Sequence, residues 1–221
     1  MVFDFHTHTF LSDGDLAPVE LIRRAVVQGY RVIAVTDHVG PGNVEWVVRQ
    51  LAQDCAFCQA HWDILALPGV EITHVPPETI PDLAQAARAA GARLIVVHGE
   101  TPVEPVVPGT NLAAVRCRAV DILAHPGLLT PDEAHYAAEN GVFLELSARR
   151  GHCLANGHIV QVARAAGALL LVDSDGHAPG DLLSADFAQR VARGAGLTPA
   201  EAATVLTENP QRLLARLGLT L

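Results

Sequence analysis

The chain contains no lysine: all fifteen of its basic residues are arginine. A lysine Schiff base and a phosphate-cradling loop ending in Gly-Lys are therefore both excluded. Aromatic residues are sparse, at 5% of the sequence, leaving little from which to build stacking platforms for nucleic-acid bases. Four cysteines are too few for a disulfide framework in 221 residues. Cys55 and Cys58 form a C-x-x-C, but it lies in a segment of helical period without a second pair, so both are expected to be buried structural thiols. No apolar run approaches the length of a membrane span. The N-terminus lacks the basic, apolar and small-residue order of a secretion signal. These absences place the expected protein in the cytoplasm, with no membrane contact. A formal net charge of −9 argues against a broad surface for duplex nucleic acid.

What is present is regular. Short apolar or β-branched runs near 2–5, 31–35, 64–67, 93–97, 120–124, 142–146 and 168–172 predict strands. Between them, segments of helical period near 17–28, 43–60, 79–90, 111–117, 131–140, 155–166 and 181–193 predict helices. Gly29, Gly91, Gly141 and Gly167 fall where left-handed helix caps are expected. The last stretch, LTPAEAATVLTENPQRLLARLG, predicts two short helices broken around Pro210. With no composition shift marking a linker, residues 1–221 are expected to form one domain. Seven βα units can close into an α/β, TIM-like (β/α)7 barrel or lie as an open doubly wound sheet, and no glycine fingerprint of the open form follows the first strand. Such a barrel places its chemistry at the C-terminal ends of its strands.

The polar residues cluster at those ends. His6, His8 and Asp13 follow the first strand, His38 the second, Glu71 the third, His98 the fourth, His125 the fifth, and Asp175 and His177 the seventh. Six of the eleven histidines lie at such exits. Glu145, Ser147 and Arg149 mark the sixth. Carboxylates gathered with imidazoles in one mouth would cost several kcal/mol each to bury without cations. The set predicts a metal centre built from His6, His8, Asp13, His38, Glu71, His98, His125, Asp175 and His177. Zinc, manganese or iron suits such donors.

The ordered motifs HTHTFLSDG, TDH, PGVE, VVHG, AHP and DSDGH resemble the PHP (polymerase and histidinol phosphatase) family from His6 to His177. The resemblance implies a distorted seven-unit barrel holding two or three divalent ions. One ion would lie with His6, His8 and Asp175. A bridging Glu71 would be shared with His98 and His125, and Asp13, His38 and His177 would hold a third. Glu71 and His98 are separated by a whole helix, so His74 stands as a rival for the His98 role. The stretch THVPPE…VVHGETPVEPVVPGTN resembles a histidinol-phosphatase-like subgroup.

Metal-activated hydroxide attacking a small phosphomonoester is the expected reaction. Asp37 is a candidate proton donor, or alternatively a carboxylate orienting a histidine. Arg149 is the candidate phosphate-binding cation, in preference to Arg150. His74 and His152 are candidate substrate contacts. His158 could contact substrate or cap a helix, Asn111 could do either, and Glu100 could form part of the wall. His61 and His135 are expected on the surface, and Trp46 and Trp62 in the outer layer. Three other functions stay open: a nucleotide phosphodiesterase or exonuclease, a metal-dependent amidohydrolase, and a non-catalytic module. The missing lysine removes the carboxylated-lysine form of the second.

Overall fold

A computed structural model describes residues 1–221. The order is β1 (Val2–Asp4), α1 (Pro18–Val27), β2 (Tyr30–Val35), β3 (His38–Val39), α2 (Val44–His61), β4 (Leu65–Ile72), α3 (Ile80–Ala90), β5 (Leu94–His98) and α4 (Thr110–Arg116). It continues with β6 (Ile122–Ala124), α5 (Pro131–Asn140), β7 (Phe143–Ser147), α6 (Asn156–Ala166), β8 (Leu170–Asp173), α7 (Ala185–Gly194), α8 (Pro199–Ala203) and α9 (Asn209–Arg216). The strands pair in parallel in the order β1-β2-β4-β5-β6-β7-β8, with β3 a two-residue extension beside β4. Across the seam between β1 and β8, Phe5 N–H donates to Asp173 Oδ1 at 2.7 Å and His8 N–H to the Gly176 carbonyl at 2.8 Å. A nearly closed, TIM-like barrel of seven parallel strands results.

Two-residue alternation explains what fills it. Ile95 and Val97 of β5, and Leu144 and Leu146 of β7, face the helices and join the large outer core. Leu94 and Val96 share the inner side with Phe143, Leu67 and Leu171, and α9 closes the bottom with Leu213 and Leu214. Continuing the inner parity upward puts His98 above Val96, Glu71 above Leu67 and Gly69, and Glu145 above Phe143. The lower barrel is an apolar plug and the upper barrel is polar. Gly69 is needed on this inner side, because a Cβ there would lie 2.8 Å from Thr36 Cγ2.

Three expectations are corrected. β4 is twice as long as predicted, running through Pro68 and Gly69 to Ile72, so Glu71 lies inside a strand rather than after one. The C-terminal stretch does not break at Pro210; a π turn over Thr204–Glu208 joins α8 to α9, and Pro210 occupies the first turn of α9, where its missing N–H is not needed. The seventh helix starts at Ala185 rather than 181, with Ser184 as its cap. Cys55 and Cys58 are buried, while His61 and His135 are exposed. No helix is long and apolar enough to cross a membrane.

Candidate metal centre

The nine predicted ligands converge on one cavity of about 410 Å³ at the C-terminal mouth, or on its floor. Ligand atoms of His6, His8 and Glu71 lie within 4.8 Å of one another, as do those of Glu71, His98 and His125, and those of His8, Asp13, His38 and His177. Asp175 joins the first two groups, with Oδ1 3.4 Å from His8 Nε2 and Oδ2 3.6 Å from His125 Nε2. Asp13 Oδ1 stands 3.2 Å from His177 Nε2 and 3.4 Å from His38 Nε2.

The donor set fits divalent ions. Both ring nitrogens of His8, Nε2 of His6 and both oxygens of Glu71 are buried with no hydrogen-bond partner, a condition that would cost several kcal/mol if left uncompensated. These atoms face one another at 3.3 Å (His6 Nε2 to Glu71 Oε2) and 3.6 Å (His8 Nε2 to the same oxygen). Two ligands bonded to a tetrahedral zinc at 2.0–2.1 Å are separated by about 3.3 Å. The far nitrogens are held as metal-binding histidines require: His6 Nδ1 donates to Glu145 Oε2 at 2.6 Å, and His98 Nδ1 to the Gly99 carbonyl at 3.2 Å. Each pairing directs Nε2 into the cluster.

The buried imidazoles and carboxylates also set one another's charge. Burial drives His8 down to about 3, so its imidazole is neutral and ready to ligate at neutral pH. Burial also opposes charge on His6, yet the Glu71, Glu145 and Asp175 carboxylates together hold it well above its ordinary value. Glu71 is the converse: burial pushes it up, but His6, His38 and His98 hold it well below the carboxylate range.

Backbone strain concentrates here. The only non-glycine residues with positive φ are His74 (53°), His125 (27°) and Asp175 (51°), and all three line the cavity. Gly14 serves the loop after β1, since a Cβ there would sit 2.5 Å from the His8 carbonyl oxygen.

The remaining candidates fall in several places. Arg149 faces the mouth, with Nη1 3.2 Å from the Asp175 carbonyl and in contact with the His177 ring, and it is the one basic side chain lining the cavity besides histidine. His152 is buried beside it, and burial together with His125 pushes it down to about 4. Asp37 is corrected. Its carboxylate is buried outside the cavity, accepting from Thr9 N–H (2.7 Å), Thr9 Oγ1 (2.7 Å) and Ser12 Oγ (2.6 Å), so it is placed neither to protonate a leaving group nor to orient an imidazole. It clamps the loop that carries His8 and Asp13. Asn111 is neither cap nor cavity contact: it bridges Glu100 N–H and the Pro126 carbonyl at 2.9 and 2.8 Å. Glu100 instead caps α4, accepting from Gly109 and Asn111 N–H. His158 bonds the Leu129 carbonyl at 2.7 Å. His74 sits at the mouth near His98, with ring centroids 4.8 Å apart, and His98 rather than His74 joins the Glu71 and His125 group. Sequence reasoning missed Glu104, which lines the cavity, and left Glu145 out of the ligand environment.

No family model matches the sequence. Uncharacterized protein MJ1295 of Methanocaldococcus jannaschii is 45% identical over 218 residues, covering 98% of this chain and 100% of the relative. The chain belongs to the family of that protein. A more distant relative, the DNA polymerase/3'-5' exonuclease PolX of Bacillus subtilis, is 26% identical over 193 residues, covering 79% of this chain and 34% of PolX. The fold is shared with a chain in archaeal ribonuclease P solved with mature tRNA (TM-score 0.72, 14% identity, 96% and 90% of the two chains). It is shared too with histidinol phosphate phosphatase of Lactococcus lactis, solved with zinc, L-histidinol and phosphate (TM-score 0.60, 16% identity, 89% and 94%).

Proposed function

We propose that the chain is a PHP-type, metal-dependent phosphoesterase that hydrolyses a small phosphomonoester of the histidinol-phosphate kind. The observation that carries this reading is the set of buried, unpartnered imidazole and carboxylate atoms facing one another beneath an open cavity. Two or three divalent ions, of zinc, manganese or iron, would be held by His6, His8, Glu71 and Asp175, by Glu71, His98 and His125, and by Asp13, His38 and His177. Such ions, when bound, lower the pKa of water toward about 7 and neutralise phosphate oxygens. The chain itself supplies the rest. Glu145 fixes the His6 ring, Asp37 fixes the loop of His8 and Asp13, and the Arg149 guanidinium offers paired donors to a phosphate at the mouth. Apart from Val39 the lining is polar or glycine, which suits a compact charged substrate.

A second reading, hydrolysis of nucleic-acid phosphodiesters, draws on the relationship to PolX. The cavity lining carries no Phe, Tyr or Trp on which bases would stack, which favours the monoester. The test is a hydrolysis screen of protein reconstituted separately with zinc, manganese and iron, using histidinol phosphate, nucleoside monophosphates and a phosphodiester. Monoester turnover abolished by Glu71→Gln supports the first reading. Diester turnover alone transfers the site to the second, and a metal-replete protein inactive on every ester overturns both.

A further inference from the structure

Glu104 has no part in the centre described above, yet it gathers three histidines at the mouth. Its Oε2 lies 3.1 Å from His98 Nε2 and 3.2 Å from His74 Nε2, and its Oε1 lies 3.3 Å from His152 Nε2. Because His98 Nδ1 donates to the Gly99 carbonyl, the lone pair of His98 Nε2 faces a carboxylate oxygen. A proton or a metal ion fills such a gap, as in the 3.2 Å hydrogen-bond contact between His74 Nε2 and Glu104, and 3.1–3.2 Å is close to the edge of a tetrahedron around zinc, about 3.3 Å.

The loop is built to present this group. Pro102, Pro105 and Pro108 restrict its freedom. Glu100 and Asn111 brace both ends through reciprocal bonds of 2.9 Å, and Val103 leaves about 3.4 Å for a Cβ at Gly151, beside His152. His74 adds an independent sign. Of the three strained non-glycine residues, His125 and Asp175 belong to the inner ligand set and His74 does not. Strain of this kind persists where the surroundings require the side chain to point one way.

We propose that His74, His98 and Glu104 form an outer divalent-cation position at the cavity mouth, sharing His98 with the inner ligand set. His98 Nε2 also lies with Glu71 and His125, so the two positions compete for one nitrogen. The outer ion is accordingly the weaker and the more exchangeable, by about tenfold or more, or about 1.4 kcal/mol. Half-exposed His74 and Glu104 open it to solvent, whereas Glu71 and His125 are buried.

The inference is independent of which ester the protein cleaves, and it touches the metal reading only through His98. It is tested on the full chain labelled with ¹⁵N-histidine, stripped with EDTA and titrated with zinc. The His74 resonance is assigned from His74→Asn. The expected result is that the signals of His6 and His8 respond first, and that the His74 Nε2 signal then moves to the metal-bound range in excess zinc. In Glu104→Ala the His74 response is lost while the His6 and His8 responses persist, which also shows that the variant folds. A His74 signal that never moves, or that moves equally in Glu104→Ala, overturns the proposal. Silence from His6 and His8 would sink the inner centre on its own, and His74 would still decide the outer one.

Discussion

Glu145 and His6 are both wholly buried, and the bond from His6 Nδ1 to Glu145 Oε2 is 2.6 Å long. A hydrogen bond to a charged acceptor contributes about 1.5–3 kcal/mol, and a neutral one about 0.5–1.5 kcal/mol. Glu145→Gln preserves shape and one acceptor oxygen but removes the charge. The loss is about 1–2 kcal/mol, expressed as zinc affinity weaker by roughly 5- to 30-fold. Glu145→Ala leaves the Nδ1–H unpaired and frees the ring to rotate, so its loss should be larger, toward about 100-fold. The assay is competition with a chromophoric chelator at neutral pH, with circular dichroism confirming an unchanged fold. If both variants hold zinc as tightly as the parent, the argument that Glu145 orients a ligating His6 is refuted.

Other perturbations separate further parts of the argument. Gly14→Ala drives a methyl to within 2.5 Å of the His8 carbonyl oxygen and should cost about 1–3 kcal/mol in urea unfolding together with most of the metal affinity; parental stability would contradict the packing described. Asp37→Asn should lose about 1–3 kcal/mol of stability while leaving the pH-rate profile unchanged in shape, whereas loss of the limb belonging to an acid would restore Asp37 as proton donor. Arg149→Lys keeps the charge but not the paired donors, and should weaken inhibition by inorganic phosphate about tenfold with zinc affinity unaltered. Chelation should lower the free energy of unfolding by about 4 kcal/mol where free zinc had stood at 1,000 times its dissociation constant; identical urea transitions with and without EDTA would deny that ions hold the native state.

The barrel and the cluster of side chains at its mouth were legible because they obey local rules. His98 and Glu71 take their direction from strand alternation, and Gly91 and Gly141 end helices with positive φ of 114° and 68°. Glu145 was legible as a polar residue at the sixth strand end, two residues above Phe143, but its partner His6, 139 residues away, was not. Glu104 and Asp37 were not legible. Their roles depend on where loops separated by 30 and 28 residues meet, His74 with Glu104 and Thr9 with Asp37, and no periodicity carries that information. Pro210 misled because a proline within helical pattern ordinarily signals a break, whereas here an extra residue per turn absorbs it.

The seam where β1 meets β8 joins parts of the chain 168 residues apart, as in the bond between Phe5 and Asp173. His6 and His8 arrive from one flank of that junction, Asp175 and His177 from the other. A cation held by both flanks would act as a clasp on the hoop, tying together two stretches of polypeptide that lie far apart along the sequence. Ring closure and ion binding would then be coupled: whatever loosened that junction would weaken the grip on the ion, and removing the ion would loosen the junction in turn.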